Sequence, residues 1–161
     1  IEIGENETSG ELFARVTETG VRTLLAAIDE IAAGTARAVP QEDGRATLAP
    51  PLTKEMARFC FDAPARRLHD LIRGLNPWPV AFFEHNGKKV KVLRTLCDDT
   101  ASGAPGEILS VKPLAVACAR GALTLTQVVP EGSRPMEGSA WAAGRRFSVG
   151  DRLEPSEVTT E

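Results

Sequence analysis

The sequence of 161 residues contains few of the side chains that metal sites and disulfide frameworks require. It has two histidines, His69 and His85, so a histidine-rich metal site is excluded. Its three cysteines, Cys60, Cys97 and Cys118, form no CxxC pair, and their odd number argues against a disulfide framework. We therefore expect a reduced, cytoplasmic protein with buried thiols and no bound metal.

Catalytic motifs are also lacking. The sequence has no histidine and acid at a catalytic spacing, no nucleophile elbow and no phosphate-binding glycine loop. Cys60 lies between two phenylalanines, which favours a buried thiol over a nucleophile, and His69 is expected to be a surface histidine. No apolar run approaches the length of a membrane-spanning helix. These absences favour a binding or structural module without membrane contact over an enzyme that acts alone.

The length and the apolar content of 42% are sufficient for one ordinary domain, or for a small domain with a piece of another. The first residue is isoleucine, and no signal or transit pattern follows it. We therefore expect a fragment or a processed chain, whose missing neighbour holds part of the function.

The net charge of −3 is distributed unevenly along the chain. Residues 54–94 contain nine basic and four acidic side chains, whereas residues 1–36 contain seven acidic and two basic ones. Residues 95–161 are again acidic, with nine acidic and six basic side chains. A basic block between acidic flanks is typical of a surface that faces a polyanion. It is equally typical of a solvated helix next to an exposed hairpin.

Two helices are predicted within residues 1–36. Thr8 and Glu11 have the spacing of a capping box, and apolar side chains then recur on one helical face. Gly20 interrupts this face and Gly34 ends it, so we expect a first helix before Gly20 and a second one after it. Both have an apolar face with too little around them to bury it, as in the last helices of a larger α/β unit.

Residues 35–58 contain three prolines and no helical or strand periodicity, which predicts an extended, ordered connector. Three side chains are expected to anchor it: Leu48, Leu52 and Met56. Asp62 is then the predicted N-cap of a helix that ends near Leu75, because Asn76 precedes a proline.

The next residues form a stiff corner, Asn76-Pro77-Trp78-Pro79. A proline on each side of Trp78 restricts the backbone, so the indole is held in one place. We expect this ring to cover the mouth of a core. A surface that stacks on a ligand is the alternative.

After the corner the hydrophobic period changes from that of helices to that of strands. Asn86-Gly87 is typical of a type I′ hairpin, with Val90 and Val92 inside and the neighbouring lysines outside. A short helix carrying Trp141 is expected over residues 136–143. The predicted strands cover residues 80–84, 88–96, 107–112, 114–119 and 122–129. Five short strands after a helix predict a small barrel that closes on itself and hides its edges.

Binding is better supported than catalysis. Basic side chains project from the hairpin, on the preceding helix and at the connector: Lys88, Lys89, Lys91 and Arg94, then Arg66, Arg67 and Arg73, then Lys54. A small barrel with a basic rim is a common way to hold nucleic acid by its backbone. The predicted strands carry too few aromatic residues to support base stacking. Taken one at a time, each lysine could equally be a solubilising residue at a strand edge.

The residues that follow occur in the order and spacing of one enzyme family: Gln41, Ala46-Thr47, Ala49-Pro50, Leu52-Thr53-Lys54-Glu55, Pro64-Ala65, Ile72-Arg73-Gly74-Leu75-Asn76-Pro77-Trp78-Pro79, Gly103-Ala104-Pro105-Gly106, Gly132, Met136 and Gly150-Asp151-Arg152-Leu153. On these motifs the sequence resembles methionyl-tRNA formyltransferase over nearly its whole length. The corner is specific to the formyltransferase group, and with the connector motif it favours the tRNA enzyme.

The resemblance implies a two-domain protein of translation initiation. Its Rossmann-like amino-terminal domain would bind 10-formyltetrahydrofolate and carry the asparagine, histidine and aspartate that transfer the formyl group to methionyl-initiator-tRNA. Residues 1–36 would be the last helices of that catalytic domain and residues 37–58 the linker. Residues 59–155 would form a carboxy-terminal domain, mainly β with an open five-stranded OB-like barrel that contacts tRNA, and residues 156–161 a tail. No catalytic residue or cofactor site then falls in this chain, which is expected to be inactive alone.

Two alternatives remain open at this point. The chain could be the equivalent domain of a sugar-nucleotide formyltransferase or of a formyltetrahydrofolate hydrolase. It could also be a purely structural buttress of the catalytic domain in cis.

The sequence departs from the family at three places. Phe59-Cys60-Phe61 stands where Ile-Asp-Trp is usual, Val80 where a small residue is usual and Ser133 where a basic one is common. The first two changes are expected to repack the core at similar volume. The third weakens any grip of this loop on phosphate.

Overall fold

The computed structural model describes residues 1–153. Its helices are α1 Ser9–Ala32, α2 Ala65–Gly74 and α3 Gly138–Arg145. Its strands are β1 Phe82–His85, β2 Lys88–Asp98, β3 Ile108–Val111, β4 Leu114–Ala117, β5 Ala122–Pro130 and β6 Met136–Glu137. Short 3-10 turns at Asp43–Arg45 and Glu55–Ala57 interrupt the extended connector. The expected tail, residues 156–161, lies outside the described residues.

The strands form one antiparallel sheet in the order β1-β2-β5-β4-β3, with β6 added beside β5. Asn86 and Gly87 connect β1 to β2 with φ values of 51° and 69°, as a type I′ turn requires. Strands β1 and β3 end the order without pairing to each other, so the barrel is open. The open barrel implied by the family resemblance is confirmed. The closed one expected from the strand count is wrong, as is a helix start at Met136, which lies in β6.

The core fills the space between the sheet, α2 and α3. Phe59, Phe61 and Phe83 meet edge to face, with ring centres 5.2 to 5.8 Å apart, and Trp141 of α3 lies 6.0 Å from Phe83. All four side chains are buried. The replacement of Ile-Asp-Trp by Phe59-Cys60-Phe61 therefore places its two phenylalanines in the core, as expected. Edge-to-face contacts of this kind add a little stability beyond the burial of apolar area itself.

Helix α1 is continuous through Gly20, so the prediction of two helices is wrong. One glycine destabilises a helix interior by about 1 kcal/mol, which is too little to break a helix of 24 residues. The capping box is confirmed: Thr8 Oγ1 accepts from Glu11 N at 3.3 Å, and Glu11 Oε2 accepts from Thr8 N at 2.9 Å. No residue of α1 is buried within the described chain.

Two further expectations fail between α1 and α2. Leu48 is 99% exposed, and Leu52 and Met56 are also exposed, so these side chains do not anchor the connector. Helix α2 has Pro64 rather than Asp62 at its N-cap position. Asp62 instead accepts a hydrogen bond from the Cys60 thiol, Sγ to Oδ1 2.8 Å.

Candidate nucleic-acid interface

Three lysines at the start of β2 form what is here named the lysine hairpin: Lys88, Lys89 and Lys91. All three are exposed, while the alternating Val90 and Val92 are buried. This confirms the alternation predicted from the sequence. None of the three forms a salt bridge with any residue between 1 and 153. Their charges therefore remain available to an external anion.

An open groove of about 430 Å³ lies beside the lysine hairpin. It is lined by Lys89 and Lys91 of β2 and by residues 129–133, at the end of β5 and in the turn after it. The two segments are joined because Glu131 N donates to Lys89 O at 2.9 Å and Lys89 N donates to Glu131 Oε2 at 3.1 Å. The Lys89 ammonium lies 4.9 Å from the centre of the Phe82 ring, a cation–π distance. The groove is thus lined by two lysines, by Glu131 and by Ser133.

Other arginines that the sequence suggested as phosphate contacts already have partners within the protein. Arg94 Nη2 lies 2.5 Å from Glu11 Oε1. Arg73 Nε donates to Asp70 Oδ1 at 2.7 Å, and its Nη1 lies 3.3 and 3.2 Å from the carbonyl oxygens of Gly4 and Glu7. These basic residues are therefore of two kinds: the lysines of the lysine hairpin, and two arginines that are bound to residues within the range 4–11.

A bulge in β2 explains the position of Arg94. The pairing with β5 shifts between Val92 and Arg94 and again before Thr95. Strict alternation from Val90 and Val92 would place Arg94 inside the barrel. The extra residue changes the phase, so Arg94 is exposed and Thr95 is buried.

Lys54 lies away from both groups, at the start of the turn Glu55–Ala57, and is exposed. The pKa of Glu55 is lowered chiefly by a hydrogen bond from the Thr53 side chain and, more weakly, by the charge of Lys54. Arg67 is also exposed, on the outer side of α2.

The stiff corner does not cover the core, so that prediction is wrong. Trp78 is 54% exposed. The corner instead connects two elements through Asn76, whose Nδ2 donates to Leu93 O of β2 at 2.9 Å. Its carbonyl oxygen accepts from Ser9 Oγ at 2.6 Å and from Gly10 N at 3.1 Å, at the first turn of α1.

Val80, directly after the corner, has a φ of 69°. This left-handed conformation is unfavourable for a β-branched residue and natural for glycine. Val80 therefore differs from a smaller residue in its effect on the backbone as well as in volume, which corrects the expectation of simple repacking.

His69 is 1% exposed, so the expectation of a surface histidine is wrong. Its Nδ1 lies 2.8 Å from Thr95 Oγ1 and its Nε2 lies 3.1 Å from Glu5 O. The signal was present in the sequence, because His69 follows Leu68 and lies three residues before Ile72 on the buried face of α2.

The thiols are unsuited to nucleophilic chemistry. Burial raises the pKa of Cys118 to about 12 and that of Cys97 to about 11. Burial and the neighbouring Asp62 also raise the pKa of Cys60. The three groups are therefore protonated thiols at neutral pH. Only Cys118 is fully buried, so the expectation of buried thiols holds for one of the three.

Residues 1–153 contain neither a metal-binding cluster nor a membrane-spanning helix. No group of three or more histidine, cysteine, aspartate and glutamate side chains within this range is arranged to hold a metal ion. No helix within it is long and apolar enough to cross a membrane. What the geometry offers is a cationic groove that could bind an anionic chain.

The model of the family described as "Formyl transferase, C-terminal domain" matches residues 51–146. A methionyl-tRNA formyltransferase of Heliobacterium modesticaldum is 36% identical over 162 aligned residues, which cover 94% of this chain and 51% of that protein. One of Chlamydia muridarum is 40% identical, over 92% of this chain and 50% of that protein. The chain thus spans about half the length of these relatives.

The solved structures that match include HypX from Aquifex aeolicus. One HypX variant has a TM-score of 0.69 at 18% identity, over all of this chain and 30% of HypX. The HypX complex with tetrahydrofolic acid has a TM-score of 0.68, over 99% of this chain and 29% of HypX. At this identity the likeness concerns the fold alone.

Proposed function

Because the chain belongs to the formyl transferase C-terminal domain family, as its motifs indicated, we propose that it is the carboxy-terminal half of a methionyl-tRNA formyltransferase. The whole protein would work in the cytoplasm and transfer a formyl group from 10-formyltetrahydrofolate to the amino group of methionyl-initiator-tRNA. This chain would hold part of the tRNA and have no formyltransferase activity alone. The tetrahydrofolate cofactor and the catalytic residues would belong to the other half.

The proposed tRNA contact depends mainly on one observation. The lysine hairpin presents three ammonium groups that form no salt bridge with residues 1–153, and two of these lysines line a groove of about 430 Å³. Lysines of this kind neutralise phosphates and release counterions, which supplies affinity without reading the base sequence. Selection of the initiator would then depend mainly on the catalytic half. Arg94 and Arg73, being paired, are expected to contribute less than the lysines.

The proposed division of the chain follows the burial. Residues 1–36 would close the catalytic domain, since the apolar stripe of α1 is exposed within this chain. Residues 37–58 would be the linker, and the barrel domain would begin at residue 59, where Phe59 is buried in the core. In the whole protein the catalytic half would cover the stripe of α1.

Titration of this chain with initiator tRNA over a range of salt concentrations tests the proposal. Three phosphate contacts predict a slope of log K against log [salt] of roughly −2 to −3, at −0.7 to −0.9 for each phosphate. Replacing Lys88, Lys89 and Lys91 with glutamine should abolish most of this slope. The matched control replaces three exposed basic residues elsewhere, Arg37, Arg67 and Lys112, and should lower the affinity far less. Equal losses in the two triple variants, or no binding at low salt, would reject the tRNA contact.

The buttress alternative has one observation in its favour. Arginines of the barrel domain bind the acidic N-terminal segment, as in Arg94 with Glu11 and Arg66 with Glu5. If the domain served only as a buttress, Lys88→Glu with Lys89→Glu would weaken association with the catalytic half. If the lysine hairpin binds tRNA, the same variant keeps that association and loses tRNA affinity.

A further inference from the structure

One face of α2 is turned toward residues 4–7, which form the N-terminal segment before α1. It carries Arg66, His69 and Arg73, which are three and four residues apart and so lie along one side of the helix. Two of these side chains contact main-chain carbonyl oxygens of the segment. Arg73 Nη1 bonds to Gly4 O and Glu7 O, and His69 Nε2 bonds to Glu5 O.

The third side chain of this face, Arg66, binds a carboxylate instead. Its Nη1 lies 3.0 Å from Glu5 Oε1, and its Nη2 lies 3.1 Å from Asp99 Oδ2. Segment residues 4–7 are therefore held mainly through their backbone, with one side-chain contact.

The contact geometry places a proton on Nε2 of His69. A carbonyl oxygen can only accept, so Nε2 must carry the proton that is donated to Glu5 O. Nδ1 forms the second hydrogen bond of the ring, with the Thr95 hydroxyl at 2.8 Å. The bond to Thr95 is buried, and the bond to Glu5 O is partly buried. One side chain thus joins α2, the bulged part of β2 and the N-terminal segment.

The corner completes the contact one turn further along. The Asn76 carbonyl oxygen accepts from Ser9 Oγ and Gly10 N, two donors of the first turn of α1 that lack partners within the helix. Gly10 packs so closely that a Cβ there would lie 2.9 Å from Pro77 Cδ. The start of α1 therefore has one position against the corner.

We propose that the α2 face of Arg66, His69 and Arg73, together with the Asn76–Pro77 corner, is a docking site for residues 4–10 that sets the direction in which α1 leaves the barrel. Arg73 and His69 are then positioning residues, and Arg73 is assigned to this site rather than to tRNA phosphate. If the proposed function holds, α1 belongs to the catalytic half, and the docking site sets the distance between the lysine hairpin and the reaction centre. The site contacts three main-chain carbonyl oxygens of the segment, the Glu5 carboxylate and the Ser9 hydroxyl, and it leaves no room for a Cβ at Gly10.

Amide hydrogen exchange of this chain tests the docking site without reference to tRNA. In Arg73→Gln the amides of Gly10 and Leu12 should exchange roughly tenfold faster or more, because local opening there becomes easier. Amides in the β2–β5 ladder should keep their protection. Arg67→Gln, which removes the same charge from the exposed side of the same helix, should change neither set.

Two more variants make the result decisive. His69→Phe keeps a ring in the cavity and removes both hydrogen bonds, so it should also speed exchange at Gly10 and Leu12. Arg73→Lys keeps the charge but lacks the planar fork, so it should restore only part of the protection. Unchanged exchange at Gly10 and Leu12 in both Arg73→Gln and His69→Phe would overturn the proposal. Faster exchange that extends equally through β2 and β5 would overturn it as well, because the two residues would then support the barrel in general.

Kinetics of the whole protein separate positioning from tRNA binding. Arg73→Gln should lower kcat at saturating methionyl-tRNA and leave the tRNA affinity of this chain within about twofold, whereas the lysine triple variant should act mainly on KM. If Arg73→Gln weakened tRNA binding and left kcat unchanged, the proposal would be overturned, and Arg73 would instead be a phosphate contact. Failure of the lysine variant would count against the proposed function, and the exchange result would still decide the docking site.

Discussion

Helix α1 and the barrel contain the same kinds of apolar residue and use them differently. Leu24, Leu25 and Ile28 of α1 are exposed, whereas Leu123, Leu125 and Val128 of β5 are buried. Both segments have the hydrophobic period of their own secondary structure. The period identifies a face that needs a partner, and the partner decides whether that face is buried. In this chain the barrel provides its own partner and α1 does not.

The difference also shows where α1 is held. Its hydrogen bonds with the barrel domain lie at its first turn and in the segment before it, and those of the turn involve Ser9, Gly10 and Glu11. The stability of this chain should therefore reside in the barrel, and α1 should respond to changes at its N-terminus. Four predictions test this division.

The largest difference is expected for one substitution made in both regions. Phe83→Ala removes a ring that is completely buried and should lower the free energy of unfolding by about 3–5 kcal/mol. Phe13→Ala in α1 removes a ring that is 70% exposed and should change it by less than about 0.5 kcal/mol. Urea unfolding followed by circular dichroism measures both. Similar losses in the two variants would mean that α1 packs on the barrel in solution.

A smaller difference is expected for alanine at two glycines. A Cβ at Gly138, the first residue of α3, would lie 1.9 Å from Leu125 O, so the backbone must move. We expect Gly138→Ala to destabilise the barrel by about 1–3 kcal/mol or more. A Cβ at Gly20 meets nothing within 4 Å, so Gly20→Ala should stabilise α1 locally by up to about 1 kcal/mol. Thermal unfolding gives the first effect and helical circular dichroism the second. A tolerated Gly138→Ala would contradict the tight contact of α3 with β5.

The N-cap of α1 provides a local test. Thr8→Ala removes the oxygen that accepts from Glu11 N and should destabilise the first turn of α1 by about 1 kcal/mol. Exchange of the Glu11 amide should accelerate, while the β2–β5 amides stay protected. Thr8→Ser keeps the hydroxyl and serves as the control, so equal exchange in the alanine and serine variants would contradict the capping role.

The smallest effect is a pH dependence at the same turn. The hydrogen bond from Arg94, followed by those from Thr8, lowers the pKa of Glu11 from its usual 4.5 to about 2. Because the folded form prefers the ionised carboxylate, its stabilising effect is complete above pH 4.5 and is lost as the pH falls from 4.5 toward 2. Glu11 is exposed to solvent, so the change should be modest. The protection factors of the α1 amides at pH 5 and pH 3 measure this change in stability. In Glu11→Gln the protection factors of the first turn should be the same at both pH values.

Features that depend on nearby residues were predictable from the sequence. The capping box at Thr8 and the hairpin turn at Asn86-Gly87 follow from the preferences of a few consecutive residues. The alternation around Val90 and Val92 is equally local. The family motifs also indicated the open barrel correctly, because their order and spacing are specific to this fold.

Features that depend on distant residues were not predictable in this way. Trp78 was expected over the core and is exposed, and His69 was expected at the surface and is buried. Their burial depends on elements far away in the chain, such as the segment that supplies Glu5 O to His69. Nor does local pattern show that Arg73 is bound to Gly4 and Glu7 while Lys89 and Lys91 form no salt bridge within the described part of the chain.

The sequence by itself determined which regions are helical, most of the strands and the block of basic residues, because short-range preferences and the family motifs specify them. It did not determine that α1 continues through Gly20. The tertiary structure decided how those basic residues are used. The bulge in β2 turns Arg94 outward toward Glu11, and α2 brings Arg73 to the N-terminal segment. The ammonium groups of Lys88, Lys89 and Lys91 form no salt bridge with residues 1–153. Ion pairing depends on distances of a few ångströms between residues far apart in the chain, and folding alone sets those distances.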